Sequence, residues 1–143
     1  MKATQVIVAP ITCNLSNLTV FTTHPNTEYP DSILQQDEAF SLQVRVELAG
    51  PGAIALVPLC LLVRVNFYAE PFGIGSKLDL GEACVETSAK VLTYTPTLTL
   101  DTPAQVGLVL EEIYQITAVL RVGAQNSPAL ITGVIEGLAI QTY

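Results

Sequence analysis

The chain has 143 residues, 13 of them acidic and 6 basic, for a net charge of −7. Half of it is hydrophobic, mean hydropathy is +0.47, and only 13% is charged, against about 25% for an average soluble protein. The three arginines and three lysines are scattered with no two adjacent, which excludes the clustered basic surface that nucleic acid requires. The longest apolar run, residues 53–63, spans 11 residues and contains Pro58, too short for a membrane-spanning helix of about 20.

The first residues, MKATQVIVAP, lack an apolar stretch followed by a small-residue cleavage site, so no secretory signal is expected. Cys13, Cys60 and Cys84 are odd in number and match no zinc or CxxC spacing. They predict reduced thiols in a cytoplasmic protein. The sequons at Asn14 and Asn17 are then chance matches. Neither repeat nor linker divides the chain, and a single domain over residues 1–143 is expected. High apolarity with little charge fits strands buried on both faces, the core-like interfaces of an oligomer, or both. The acidity keeps such a chain dissolved.

In chain order, residues 3–9 (ATQVIVA) and 17–23 (NLTVFTT) read as strands. Residues 24–38 are irregular, with Pro25 and Pro30 at their start and a helical turn expected over residues 32–35. Residues 40–48 alternate without error, Phe40, Leu42, Val44, Val46 and Leu48 on one face and Ser41, Gln43, Arg45 and Glu47 on the other. After a Gly50-Pro51-Gly52 turn, residues 53–57 read as a short edge segment before Pro58. Residues 59–70 (LCLLVRVNFYAE) then predict a long strand with Leu59, Leu61, Val63, Val65, Phe67 and Ala69 buried. The glycines of residues 71–81 predict a loop, and residues 82–87 a short strand.

Residues 90–101 alternate again, with Leu92, Tyr94, Leu98 and Leu100 opposite a row of threonines. Pro96 interrupts them and predicts an edge or a bulge. Thr102-Pro103-Ala104-Gln105 has a capping-box pattern that Gly107 ends within a turn. Tyr114 opens a strand with Ile116, Ala118, Leu120 and Val122 inward. A turn at Asn126-Ser127-Pro128 leads to residues 129–143, one broken or one long closing strand kinked near Gly133.

These elements predict an all-β fold, an antiparallel β-sandwich of seven to eight strands, with a closed barrel or jelly roll as the alternative. Residues 102–120 resemble the immunoglobulin and fibronectin type III superfold: a helical turn, Leu108 six residues before Tyr114, then Tyr-x-Ile-x-Ala, similar to a tyrosine corner. The resemblance implies a Tyr114 hydroxyl bonded back to the backbone. The chain departs from the pattern in having no tryptophan, and in Leu110 and Glu112 where proline and threonine are expected. A fold of this kind carries no function with it.

No constellation for catalysis stands out, and the expectation is a protein that is not an enzyme and uses no cofactor or metal. His24, the only histidine, sits in a proline-bracketed loop. In residues 70–82 the glycines and Lys77 lack phosphate-loop spacing, and Glu70, Asp79 and Glu82 lack the ligand ladder of a calcium loop. Glu111 and Glu112 point apart in an extended segment. The arginines are more informative, since Arg45, Arg64 and Arg121 each fall mid-strand on a polar face.

An immunoglobulin-like strand order implies one outer face bearing Leu62, Arg64, Asn66, Tyr68, Thr117, Val119, Arg121 and Glu136. That mixture of aliphatic groups, tyrosine and arginine is typical of protein interfaces. Its bland counterpart is a wet face of cross-strand salt bridges. The expected function is protein–protein association, as a homo-oligomer subunit or an adaptor module. The alternative is a small-ligand or carbohydrate-binding module using the 70–82 loop or the threonine row.

Overall fold

A computed structural model describes residues 10–22 and 32–143. The strand expected at residues 3–9, and His24 with Pro25 and Pro30, lie outside the described residues. Those described form an all-β structure of nine strands in two sheets. In the first sheet β3 (Phe40–Ala49) is central, flanked on one side by β1 (Thr12–Thr22) and on the other by β6 (Thr93–Tyr94) and β7 (Thr97–Leu100). The second sheet runs β2 (Ile33–Leu34), β9 (Ile131–Thr142), β8 (Ile113–Gly123), β4 (Leu62–Pro71), β5 (Leu78–Glu86). Every pairing is antiparallel except β2 with β9, which is parallel.

The period of two builds the core. Phe40, Leu42, Val44, Val46 and Leu48 from the first sheet meet Val63, Val65, Phe67, Ile116, Ala118 and Leu120 from the second in one hydrophobic cluster. Pro96 divides the predicted 90–101 strand into β6 and β7, as a residue without an amide proton requires. Its carbonyl still accepts from the Val44 amide at 3.3 Å, so β3 stays paired across the break. Thr102 caps the short helix α2 (Pro103–Val106) by accepting from the Gln105 amide, and Gly107, at φ 95°, ends it. The Tyr114 hydroxyl accepts from the Val109 amide at 2.9 Å, with the ring buried, which is the corner that the sequence resemblance implied.

Several expectations fail for physical reasons. Residues 53–57 are not an edge strand. They lie in helix α1 (Pro51–Leu56) and a 3-10 turn, Val57–Leu59, where proline at the first helical position and the helix formers Ala53, Ala55 and Leu56 prevail. The long strand predicted over residues 59–70 therefore begins at Leu62, not Leu59. Leu59 and Cys60 are exposed, Cys60 sits in the left-handed region at φ 55°, and the odd positions Leu61 to Ala69 are buried, joined among the even ones by Asn66.

Residues 32–35 hold the two-residue strand β2 instead of a helical turn. The edge of β9 offers it backbone partners, with Gln141 donating to the Ser32 carbonyl at 3.0 Å and Tyr143 to that of Leu34 at 2.9 Å. The loop expected over 71–81 shrinks to residues 72–77, because β5 starts at Leu78 and extends the predicted 82–87 strand backwards. The irregularity of β9 falls at Gly137, not Gly133. Leu138 pairs with Ile116 and Glu136 with Thr117, leaving Gly137 as the bulged residue at φ 114°. The segment expected over residues 17–23 starts earlier, at Thr12, and bulges where Asn17 has φ 53°.

Candidate functional site

Strand register brings the eight predicted residues onto one outer face of the five-stranded sheet. Across β5, β4, β8 and β9 the side chains form rows: Cys84, Arg64, Arg121 and Thr132; then Glu82, Asn66, Val119 and Val134; then Asp79, Tyr68, Thr117 and Glu136. Leu62 begins a further row between Glu86 and Gly123. Two bulges create this arrangement. The first, at Leu80 in β5, turns Asp79 towards the face, and the second, at Gly137 in β9, sets Glu136 beside Thr117.

Asn66 is the buried member, 8% exposed in the middle of an otherwise wet face. Its carbonyl oxygen accepts from Arg121 Nη2 at 3.1 Å. Its amide nitrogen lies 3.4 Å from both Asp79 Oδ1 and the Gly81 carbonyl. Asp79 Oδ1 also accepts from the Gly81 amide at 3.0 Å, so this carboxylate is engaged in holding the bulge. A buried amide satisfied at both ends has one orientation, and it fixes Arg121 in turn. Lys77 lies 4.5 Å from the centre of the Tyr68 ring, a cation–π contact.

The cross-strand salt bridges of the bland reading are not found for Arg64 and Arg121. These two arginines stand directly opposite each other. Among the described residues the ion pair present is Arg45 with Glu47, 2.9 Å apart on the other sheet and half exposed, which is worth little. Arg64 and Arg121, with Gly123, Ala124, Ser127, Pro128 and Ala129, line a cleft of about 220 Å³.

Elsewhere the polar groups serve the fold. The threonine row turns to β3, where Gln43 Nε2 donates to Thr97 Oγ1 at 2.9 Å. Glu111 and Glu112 are not in an extended segment: Glu111 is left-handed at φ 68° in the turn before β8. Among the described residues no group of three or more His, Cys, Asp or Glu is placed to hold a metal ion. Burial pushes the Cys13 thiol above its ordinary pKa. A hydrogen bond with Glu86, and the charge of that carboxylate, do the same for the exposed Cys60.

Sequence reasoning did not include Glu82, Cys84, Glu86, Thr132 and Val134 in the face, although their own alternation signals it. The 124–130 loop that walls the cleft has no such signal.

These features define an all-β protein whose described residues form nine strands in two sheets, with a mixed polar and apolar sheet face. No protein-family model matches the chain, and no curated protein matches it in sequence. Solved structures similar in shape include the following two. One is a beta-glucosidase from Listeria innocua in complex with glucose, at 13% identity and a TM-score of 0.46 over 94% of this chain. This chain spans 16% of that enzyme's length. The other is AggA, the major subunit of aggregative adherence fimbriae type I from Escherichia coli, at 6% identity and a TM-score of 0.44 over 99% of this chain and all of that one.

Proposed function

We propose that the protein is a non-enzymatic, immunoglobulin-like β-sandwich that acts by protein–protein association, as a homo-oligomer subunit or adaptor, through the outer face of the five-stranded sheet. One observation carries the reading. A single regular face sets Leu62, Tyr68, Val119 and the 63%-exposed Val134 among two arginines that have no carboxylate partner among the described residues. Aromatic, aliphatic and arginine side chains in one patch supply the anchors of protein interfaces. Mean hydropathy of +0.47 supports the same conclusion, since a chain this apolar gains from covering surface. The three free thiols suit the reducing cytoplasm.

Light scattering and pull-down from the native cell test the reading together. Self-association or a retained partner is expected, and Val134→Asp or Arg64→Glu weakens it at least about tenfold, the worth of one well-packed anchor. A strict monomer whose partners all survive both substitutions refutes it.

A further inference from the structure

We propose that Arg64 and Arg121 form an oxyanion site, and that the cleft above them takes one carboxylate- or phosphate-sized group. The site rests on the geometry below and not on the association just proposed.

The strand register comes first. Side chains directly opposite on antiparallel strands have Cβ atoms about 4.5–5.5 Å apart, and like charges so placed destabilise the sheet. In a chain with 13 acids and 6 bases, two of the bases nevertheless face each other without a carboxylate within ion-pairing distance among the described residues. An anion held between them turns this repulsion into two charge-assisted contacts.

The second observation is a cleft that both arginines line. Its far wall is the 124–130 loop, fastened by the Leu130 amide donating to the Val122 carbonyl at 2.7 Å and the Ser127 amide to that of Ala124 at 3.2 Å. The wall approaches closely because residue 123 is glycine. A Cβ there would lie 3.1 Å from the Pro128 oxygen and 3.2 Å from the Ala129 Cα. The volume, about 220 Å³, suits a single small group better than a cofactor, since ligand clefts run to about 300–1,000 Å³.

Third, the site is organised in advance. Asn66, more than nine-tenths buried and fixed by Asp79 and the Gly81 carbonyl, holds one Nη of Arg121. A guanidinium keeps its charge at every physiological pH and has further donors in a planar fork, which matches the two oxygens of a carboxylate or phosphate. Glu82 and Glu86 flank Cys84 on the neighbouring strand. Their charge disfavours a polyanion and leaves room for one anionic group at the arginines.

A partner's acidic side chain and a free small oxyanion share this chemistry, and a titration separates them. The ¹⁵N-labelled protein is titrated at low ionic strength with inorganic phosphate and, separately, with an acetylated, amidated peptide of alternating glutamate and glycine. Saturable shifts are expected at the amides of Arg64, Arg121, Gly123, Ala124, Ser127 and Ala129, weakening as salt is added. Arg64→Gln and Arg121→Gln are each expected to weaken binding about tenfold or more, as loss of a charged hydrogen bond does. Gly123→Val is expected to weaken it by displacing the wall with both arginines intact. Core amides such as Val65 and Leu120 report in the same spectra that each variant is folded.

Saturation by the peptide with displacement by phosphate assigns a protein carboxylate, and saturation by phosphate alone assigns a free oxyanion. The proposal is overturned if neither probe gives saturable shifts, if the arginine variants leave them unchanged, or if Lys90→Gln, at a residue that does not line the cleft, reduces them equally.

Discussion

Replacing Tyr114 by phenylalanine isolates one hydrogen bond of the fold. The ring is 3% exposed and keeps its packing in the variant, so no cavity larger than the lost oxygen opens. What disappears is the acceptor of the Val109 amide, 2.9 Å away. A buried amide left without a partner costs about 1–3 kcal/mol, but Val109 has a 59%-exposed side chain and its loop admits water, which places the loss near 1–2 kcal/mol. For a chain of this size about 1 kcal/mol lowers Tm by roughly 3–4 °C, so a fall of about 3–8 °C is expected. Urea unfolding at unchanged m-value reads the free energy, and hydrogen exchange at Val109 reads the bond itself. An unchanged midpoint with Val109 still protected would show that the hydroxyl does not hold the corner.

Other substitutions test separate features. Phe67→Ala empties a fully buried position between the sheets and is expected to cost about 3–5 kcal/mol in urea unfolding, a large share of the about 5–15 kcal/mol that holds a typical domain. Gly137→Ala meets no atom within 4 Å, so its cost is backbone strain alone at φ 114°, about 1–2 kcal/mol by thermal unfolding; a neutral result would mean that the bulge relaxes. Glu86 holds the Cys60 pKa above its ordinary value. In a variant retaining only that cysteine, Glu86→Gln should lower the pKa and raise the fraction of reactive thiolate at neutral pH, read as faster alkylation with iodoacetamide. A pH–rate profile that does not move to lower pH would contradict this.

The strands that the sequence reveals are those whose inside and outside differ without regard to a neighbour. Burial alternates residue by residue over the whole of Phe40–Ala49, and in Ile113–Gly123 as far as Val122. The run 53–63 conceals its helix because an unbroken apolar stretch has no period with which to distinguish helix from strand. Ile33–Leu34 conceals its strand for the opposite reason: two residues are too few for a pattern, and they are extended because β9 supplies partners. Which residues of each strand point outwards was legible from alternation, but that these strands neighbour one another was only implied by the resemblance; the register places the eight residues on one face. The opposition of Arg64 to Arg121 was not legible, since register depends on turns and bulges outside either strand's own pattern.

The pairing of Ile33–Leu34 with Gln141–Thr142 also bears on how the chain reaches this state. A segment early in the chain waits for the strand that is last in sequence, and most of the described residues lie in the intervening loop. Closing so large a loop is entropically expensive before any contact rewards it, so such topologies fold in milliseconds to seconds instead of microseconds. β4, β5 and β8 pair with one another without β9, whereas the sheet partner of β2 is β9. During synthesis, the β8–β4–β5 portion of the sheet emerges with its β8 edge open, and that edge is covered only when β9 leaves the ribosome.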